Sequence, residues 1–163
     1  MAAFSPIRLS GAKEPILLFV CTGNTCRSPM AEVLFKAHLG EKSGWRILSA
    51  GLHAEPGTPA SAQAVAVAKE RGADLSAHVA HPVTDALAFA ATHIVAMTAS
   101  HSAELRRRFP FAEEKIRLLG EFAEGDGIVR DIPDPFGGSV ADYRRCAAEM
   151  AACFNGLGCF LGE

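Results

Sequence analysis

Short apolar runs and longer amphipathic segments alternate along the chain. A continuous apolar run is typical of a strand buried on both faces, and apolar residues at intervals of three and four are typical of a helix. We predict strands at residues 16–20, 45–49, 93–97 and 116–119. We predict helices at residues 28–39, 59–71, 83–91, 100–108 and 139–160. Strands that alternate with helices favour right-handed crossovers and an α/β fold with a parallel sheet.

The first 14 residues lack this pattern, and we predict that residues 1–14 form a flexible leader. Residues 15–163 are predicted to form a single domain, because the chain of 163 residues is close to the usual size of one domain. A chain of this length can bury roughly 70% of its unfolded surface, so it needs no disulfides to fold. A loop rich in glycine, proline and aspartate is predicted at residues 124–138.

The charge and the lengths of the apolar runs argue against two kinds of partner. The formal net charge is −2, whereas a nucleic-acid-binding protein usually carries a basic excess. No apolar run approaches the ~18 consecutive residues that indicate a membrane span. We therefore expect no nucleic-acid partner and no membrane partner.

The number of cysteines is odd, which argues against the disulfide framework of a small secreted protein. Residues 1–15 also lack the pattern of a signal peptide. We therefore expect a reducing, cytoplasmic location, in which a thiol can be present for its chemistry. The five cysteines are Cys21, Cys26, Cys146, Cys153 and Cys159.

The segment that joins the first predicted strand to the first predicted helix reads CTGNTCRS, residues 21–28. Gly23 and Asn24 are the residue types that most readily adopt positive φ, so this loop can turn its N–H groups inward, beside the helix N-terminus, around an anion. Arg27 adds a planar fork that can hold two phosphoryl oxygens. The segment predicts a phosphate site formed by Thr22, Gly23, Asn24, Thr25, Cys26 and Ser28, with Arg27 as the clamp.

Cys21 lies where the predicted strand ends and faces this positive field. A helix N-terminus and a neighbouring cation lower the pKa of a thiol. We therefore expect Cys21 to be a thiolate nucleophile near neutral pH, with the hydroxyl of Ser28 donating a hydrogen bond to its sulfur.

A thiolate that attacks phosphorus needs an acid to protonate the leaving group, and the long loop offers Asp131 and Asp134. Asp134 lies between Pro133 and Pro135, which stiffen its backbone. We predict that Asp134 is the general acid. On its own, an Asp-Pro pair also indicates a simple turn.

Three motifs together carry a family resemblance: CTGNTCRSPMAE at residues 21–32, Ser-Ala-Gly at residues 49–51, and DPFGGS at residues 134–139. With them, residues 16–160 resemble the low-molecular-weight protein tyrosine phosphatase family. The resemblance implies an α/β, Rossmann-like fold, in which a four-stranded parallel twisted sheet is flanked by helices on both faces.

The resemblance also implies the roles of the site residues. Cys21 is the nucleophile that forms a phosphocysteine intermediate, Arg27 clamps the phosphate, and Asp134 acts first as acid and then as base. No metal and no cofactor are implied, and phosphate or vanadate-like anions are expected to bind in the loop. Asn24 is implied to hold the strained turn and His78 to brace it from below, although His78 also fits an ordinary surface histidine.

The expected substrates are phosphorylated proteins, and Thr25 bears on which kind. Members of the family that act on phosphotyrosine usually carry an aliphatic residue at this position. Thr25 and the sequence Phe136-Gly-Gly resemble the bacterial protein arginine phosphatases of the family. A hydroxyl and a carboxylate suit a planar, polar guanidinium, and Phe136 can stack on it. A protein tyrosine phosphatase of the same family is the alternative.

His53 departs from the family pattern. Many relatives place an aromatic ring at this position as a side wall of the site. An imidazole can also stack, so we list His53 with Thr25 and Phe136 as a residue that sets specificity. The alternative is an exposed loop histidine without a role.

Two further classes share parts of this pattern. Arsenate reductases have a similar loop but need more cysteines in the middle of the chain, where none occurs between Cys26 and Cys146. A non-catalytic phosphate-binding or phosphocysteine-carrier module would not need Arg27 together with a distant Asp-Pro acid. Both are therefore weaker candidates than a phosphatase.

The remaining cysteines suggest one chemical hypothesis and one structural role. Cys26 is close enough in sequence to resolve an oxidised Cys21 as a reversible disulfide, or it is a small buried hydrophobe under the loop. Cys146, Cys153 and Cys159 are predicted to pack on the terminal helix rather than bind a metal.

Overall fold

The computed structural model describes residues 4–9 and 14–163. Four parallel strands form one sheet in the order β2-β1-β3-β4. They are β1 at Ile16–Cys21, β2 at Arg46–Gly51, β3 at His93–Ala96 and β4 at Ile116–Leu118. The fully buried β1 lies inside the sheet, as its continuous apolar run predicts. The predicted four-stranded α/β fold is confirmed.

Helices cover both faces of this sheet. They are α1 at Arg27–Leu39, α2 at Ala62–Glu70, α3 at Asp85–Ala90, α4 at Ala99–Arg108, α5 at Val140–Ala151 and α6 at Phe154–Leu161. Alternate residues of β1 point to opposite faces, so Leu17 and Phe19 enter one apolar cluster while Leu18 and Val20 enter the other. The first cluster contains α1, α2, α5 and α6, and the second contains α3 and α4.

The chain differs from the sequence-based prediction after α5. The single helix predicted at 139–160 is two helices, which meet at Ala152 and Cys153. Both residues keep right-handed helical backbone angles, so the pattern of apolar residues shows no interruption where one helix ends and the next begins. In the second of these helices Gly156 lies so close to the Phe122 carbonyl that a Cβ atom there would collide with it. Two 3₁₀ helices, at Pro110–Lys115 and Leu119–Phe122, are also additional to the prediction.

The predicted leader includes residues 1–3 and 10–13, which lie outside the described residues. Residues 4–9 contact the domain on the side of α3. The ring of Phe4 lies 5.2 Å from the ring of His81, and Ile7 and Leu9 pack against the second apolar cluster. These contacts could not be predicted from the sequence, because the apolar residues of this segment follow no helix or strand spacing. Within the described part of the chain, no helix has both the length and the apolar character of a membrane span.

The carboxyl edge of the sheet gathers the segments with candidate chemistry. The loop at residues 22–26 leaves β1 at this edge, and β3 leads there into α4. The acid loop, residues 124–138, crosses the same edge, because the N–H of Ile132 donates to the carbonyl of Met97 at 2.9 Å just after β3. Ligands of open parallel sheets bind at this edge.

Candidate active site

The phosphate loop, residues 22–26, lies directly on the end of β2. The N–H of Leu52 donates to the carbonyl of Cys21 at 2.9 Å. A Cβ atom at Gly51 would collide with the carbonyl oxygen of Thr22. Glycine at the end of β2 therefore permits the close approach of the loop.

Asn24 fixes the turn of this loop. Among the described residues it is the only non-glycine with a positive φ, 55°. Its buried amide donates to the hydroxyls of Ser28 at 2.8 Å and Ser49 at 3.0 Å, and its Oδ1 accepts from the N–H of His81 at 2.9 Å. His78 Nε2 lies 2.8 Å from the carbonyl oxygen of Asn24. Both predicted support residues therefore contact the turn.

Cys21 is the last residue of β1, and its Sγ lies 2.9 Å from the hydroxyl of Ser28. Burial raises the pKa of the Cys21 thiol above its ordinary value, while Ser28 and the charge of Arg27 act in the opposite direction. The expectation of a lowered pKa is therefore wrong for this arrangement. Its reason is desolvation, which disfavours the thiolate because Cys21 itself is almost fully buried.

Arg27, the first residue of α1, joins the phosphate loop to the acid loop. Its buried guanidinium donates from Nη1 to the carbonyl of Ile132 at 3.0 Å, and Nη2 lies 3.5 Å from Asp134 Oδ2. Asp134 therefore compensates part of the positive charge that would otherwise stabilise a thiolate. The side chain of Asp134 is half exposed, and its Oδ1 accepts from the N–H of Phe136 at 3.0 Å.

These side chains enclose a cavity of about 210 Å³. It is lined by Cys21, Thr22, Gly23, Thr25, Cys26, Arg27, Asp134 and Phe136. Phe136 is largely exposed, so its ring stands at the rim of this cavity. The structure thus brings together the candidate nucleophile, clamp and acid, while Asn24, Ser28 and His78 support the loop from behind.

The predicted side wall at His53 is not part of this cavity. His53 Nε2 lies 2.8 Å from Glu104 Oε1, and 63% of its side chain is exposed. The N–H of His53 donates to the carbonyl of Thr22 at 2.9 Å, so His53 lies beside the phosphate loop while its ring contacts the carboxylate on α4. Whether His53 sets specificity or is an exposed loop histidine without a role stays a prediction.

Cys26 has a partner that the sequence did not reveal. Its Sγ lies 3.1 Å from the hydroxyl of Tyr143 on α5 and 3.6 Å from that of Ser61. Burial raises the pKa of Tyr143 to about 12, so the phenol keeps its proton. The sequence offered one indication that Tyr143 has a role: it is the only tyrosine of the chain and falls in the predicted terminal helix. In the structure it is buried.

All five cysteines are free thiols, and their surroundings differ. Cys146 and Cys153 are buried as predicted, and burial raises the pKa of Cys146 to about 12. Cys159 is exposed on α6, so the prediction that it packs as part of the terminal helix is wrong. The role of Cys26 as a redox partner of Cys21 stays a prediction.

His101 is a second residue that sequence reasoning missed. It lies in the first turn of α4, and its Nε2 is 2.8 Å from the hydroxyl oxygen of Thr22 in the phosphate loop. Burial, and then the nearby charge of Arg27, lower the pKa of His101 to about 4. The sequence could have indicated His101, because it follows the third predicted strand, whose end lies at the carboxyl edge of the sheet.

The neutral state of His101 makes stability depend on pH. Its pKa is lower in the folded chain than in the unfolded chain, so the unfolded state binds more protons between about pH 6.5 and pH 4. The stabilisation is complete above this window and is lost as the pH falls through it. We expect the free energy of unfolding of His101→Gln to fall by about 2 kcal/mol less than that of the wild type between pH 7 and pH 4, because glutamine does not titrate. This figure is below the full value of the shift, because water and neighbouring groups screen part of the charge.

Urea unfolding of both proteins at intervals from pH 7 to pH 4 measures this difference. His81 and His93 also have lowered pKa values, so the slope of the variant becomes smaller without reaching zero. Equal slopes for the wild type and His101→Gln would contradict the assignment.

Comparison with known proteins agrees with this geometry. Residues 16–159 match the family model described as low molecular weight phosphotyrosine protein phosphatase. The chain therefore belongs to the low molecular weight phosphotyrosine protein phosphatase family, a family of cysteine-based hydrolases. The predicted resemblance is confirmed.

Among its relatives, the protein-arginine-phosphatase of Geobacillus stearothermophilus is 41% identical over 142 residues, which are 86% of this chain and 92% of that protein. The protein-arginine-phosphatase of Bacillus subtilis is 39% identical over 82% of this chain and 88% of that protein. A solved structure of the YwlE arginine phosphatase, a cysteine-to-serine mutant with a phosphorylated active-site serine, has a TM-score of 0.83 at 36% identity. It covers 91% of this chain and 96% of that one.

Proposed function

We propose that this chain removes phosphate from phosphoarginine residues of proteins, through a phosphocysteine intermediate on Cys21. The observation that carries the substrate is the cavity lining, in which the hydroxyl-bearing Thr25 faces the same space as Asp134 and Phe136. The relatives named as arginine phosphatases support this choice.

In the first step the phosphoryl group enters the phosphate loop, where N–H groups and the guanidinium of Arg27 bind its oxygens. The Cys21 thiol gives its proton to solvent, and the resulting thiolate attacks phosphorus, so that a P–S bond forms and the P–N bond to the substrate breaks. The carboxyl group of Asp134 gives its proton to the departing guanidine nitrogen. The hydroxyl of Ser28, 2.9 Å from the sulfur, stabilises the thiolate before attack.

In the second step Asp134, now a carboxylate, removes a proton from water. The water oxygen attacks phosphorus, the P–S bond breaks, and Cys21 leaves as a thiolate with inorganic phosphate as the product. The related mutant structure, in which a serine carries the phosphate, supports a covalent intermediate at this position. Phosphate and vanadate-like anions are expected to occupy the same loop.

Phosphoarginine fits the polar cavity for three reasons. The Thr25 hydroxyl can hydrogen-bond a guanidinium N–H, whereas an aliphatic side chain would leave that group unpaired. Phe136 offers a ring face at the rim, and a guanidinium stacks on such a face. Guanidine is also a poor leaving group until it is protonated, which makes the proton of Asp134 essential.

Hydrolysis of phosphotyrosine is the second candidate. The exposed ring of Phe136 can also pack against a phenyl ring, and the family as a whole is described by that substrate. A cytoplasmic location belongs to the proposal as well, because the nucleophile must stay reduced and all five cysteines are free.

Substrate preference tests the assignment. We expect the kcat/KM of the wild type to be higher on phosphoarginine peptides than on phosphotyrosine peptides of matched sequence. Thr25→Ile should shift that ratio toward phosphotyrosine by at least about tenfold, because it replaces a hydrogen-bonding wall by an apolar one. Steady-state kinetics on both peptides measures the ratio.

Thr25→Ser is the matched control, because it keeps the hydroxyl and removes only a methyl group. It should retain the preference for phosphoarginine. A wild type that prefers phosphotyrosine overturns the proposed substrate and leaves the proposed chemistry of Cys21 intact.

A further inference from the structure

Asp131, the second carboxylate of the acid loop, is not part of the phosphate cavity. Its Oδ1 accepts a hydrogen bond of 2.9 Å from the backbone N–H of Ala99, the first residue of α4. A free N–H at a helix N-terminus carries partial positive charge, which favours a carboxylate partner. This contact holds the Asp131 carboxylate at the start of α4, where it does not face the leaving group of a substrate.

The residue that follows Asp131 extends this anchor to the phosphate clamp. The N–H of Ile132 donates to the carbonyl of Met97 at 2.9 Å, and its carbonyl accepts from Arg27 Nη1 at 3.0 Å. The Ile132 side chain is buried in the apolar cluster on the α1 side. Residues 131–132 therefore join the end of β3, the start of α4 and the guanidinium of Arg27.

Asp134 follows this anchor after a single proline. Pro133 and Pro135 restrict the backbone on either side, so the position of Asp134 depends directly on where residues 131–132 are held. Beyond the anchor the loop contacts two helices: Asp134 Oδ2 lies 3.5 Å from Arg27 Nη2 on α1, and Gln63 Nε2 on α2 donates to the carbonyl of Gly138 at 3.3 Å.

The segment before the anchor is different. Its carboxylate, Asp126, pairs with Arg130 at 2.7 Å within the loop, and both side chains are largely exposed. Gly125 and Gly127 have positive φ, which relieves the tight turn locally. Asp126 thus stabilises the loop internally and offers a matched comparison for Asp131.

We propose that Asp131 is a positioning residue of the catalytic site, which fixes the acid loop on the first turn of α4 so that Asp134 faces the phosphate cavity. This inference rests on the proposed role of Asp134 as general acid. It does not depend on which phosphorylated side chain is the substrate.

Loss of the anchor should impair proton delivery more than phosphate binding. Phenyl phosphate has a poor leaving group and needs the proton, whereas 4-nitrophenyl phosphate has a good leaving group and needs it little. We expect Asp131→Ala to lower kcat/KM on phenyl phosphate about tenfold and on 4-nitrophenyl phosphate less than about threefold, because kcat/KM reports only the steps up to cleavage of the P–O bond. The affinity for inorganic phosphate should be nearly unchanged. Asp131→Asn keeps an oxygen that accepts from Ala99 and should restore most of the loss.

The comparison uses the full chain, kinetics on both aryl phosphates and on a phosphoarginine peptide, and the Tm of each variant. Asp126→Ala is the control and should leave the ratio between the aryl phosphates unchanged. An equal loss on both aryl phosphates, or none on either, overturns the role of Asp131. A wild type without activity on the phosphoarginine peptide overturns only the proposed substrate, because the aryl phosphate ratio decides the role of Asp131 by itself.

Discussion

Cys21→Ser is expected to lower kcat on every substrate by roughly four orders of magnitude or more. An alcohol releases its proton far less readily than a thiol, and its oxygen is a weaker nucleophile toward phosphorus. The substitution leaves Arg27 and the N–H groups of the loop in place. Affinity for inorganic phosphate should therefore stay within about threefold of the wild type. Steady-state kinetics and competition by phosphate measure the two effects separately.

A second measurement identifies the atom that receives the phosphoryl group. Wild-type protein quenched in acid during turnover should carry one phosphoryl group on the peptide that contains Cys21, detected by mass spectrometry. Cys159→Ser changes an exposed thiol on α6 and should keep wild-type turnover. Substantial turnover by Cys21→Ser, or label on a different cysteine, would refute the nucleophile.

The phosphate loop could be predicted because its chemistry is local. A buried strand, a Gly-Asn turn and an arginine at the start of a helix lie within about a dozen consecutive residues, so one stretch of sequence specifies the whole anion site. The two central strands, β1 and β3, were equally accessible, since a strand buried on both faces is a nearly continuous apolar run. The edge strands β2 and β4 carry polar residues within shorter apolar runs.

The contacts that complete the site join residues distant in sequence, and no local pattern encodes them. Hydrogen bonds join Thr22 to His101, Cys26 to Tyr143, and Arg27 to Ile132. The last of these uses a backbone carbonyl, which any residue could supply. Tertiary packing determines these pairs, so they became visible only in the folded chain.

The ionisation of Cys21 could not be inferred from sequence for a related reason. The charge of Arg27 and the helix N-terminus are evident from the order of residues, and both lower the pKa of a thiol. Burial acts in the opposite direction and outweighs them, but the depth of a side chain depends on the packing of the whole domain.

Asp134→Asn should lower kcat on phosphoarginine peptides by about 10²- to 10⁴-fold. The amide has the same shape and can still accept from the N–H of Phe136, but it has no acidic proton to give to the guanidine nitrogen. In kcat/KM on 4-nitrophenyl phosphate the loss should be much smaller, because kcat/KM reports only the first step and that leaving group departs without a proton. Asp126→Asn, an exposed aspartate of the same loop, is the control and should match the wild type on both substrates.

Anion affinity should change in the opposite direction to kcat. Asp134 Oδ2 lies 3.5 Å from Arg27 Nη2 and competes with phosphate for the guanidinium. Removal of that negative charge should tighten phosphate binding by up to about threefold, a small effect because Asp134 is half exposed. A variant that loses phosphate affinity together with kcat would mean that Asp134 holds the loop in place. A loss of kcat with unchanged or tighter binding assigns its carboxyl group to proton transfer.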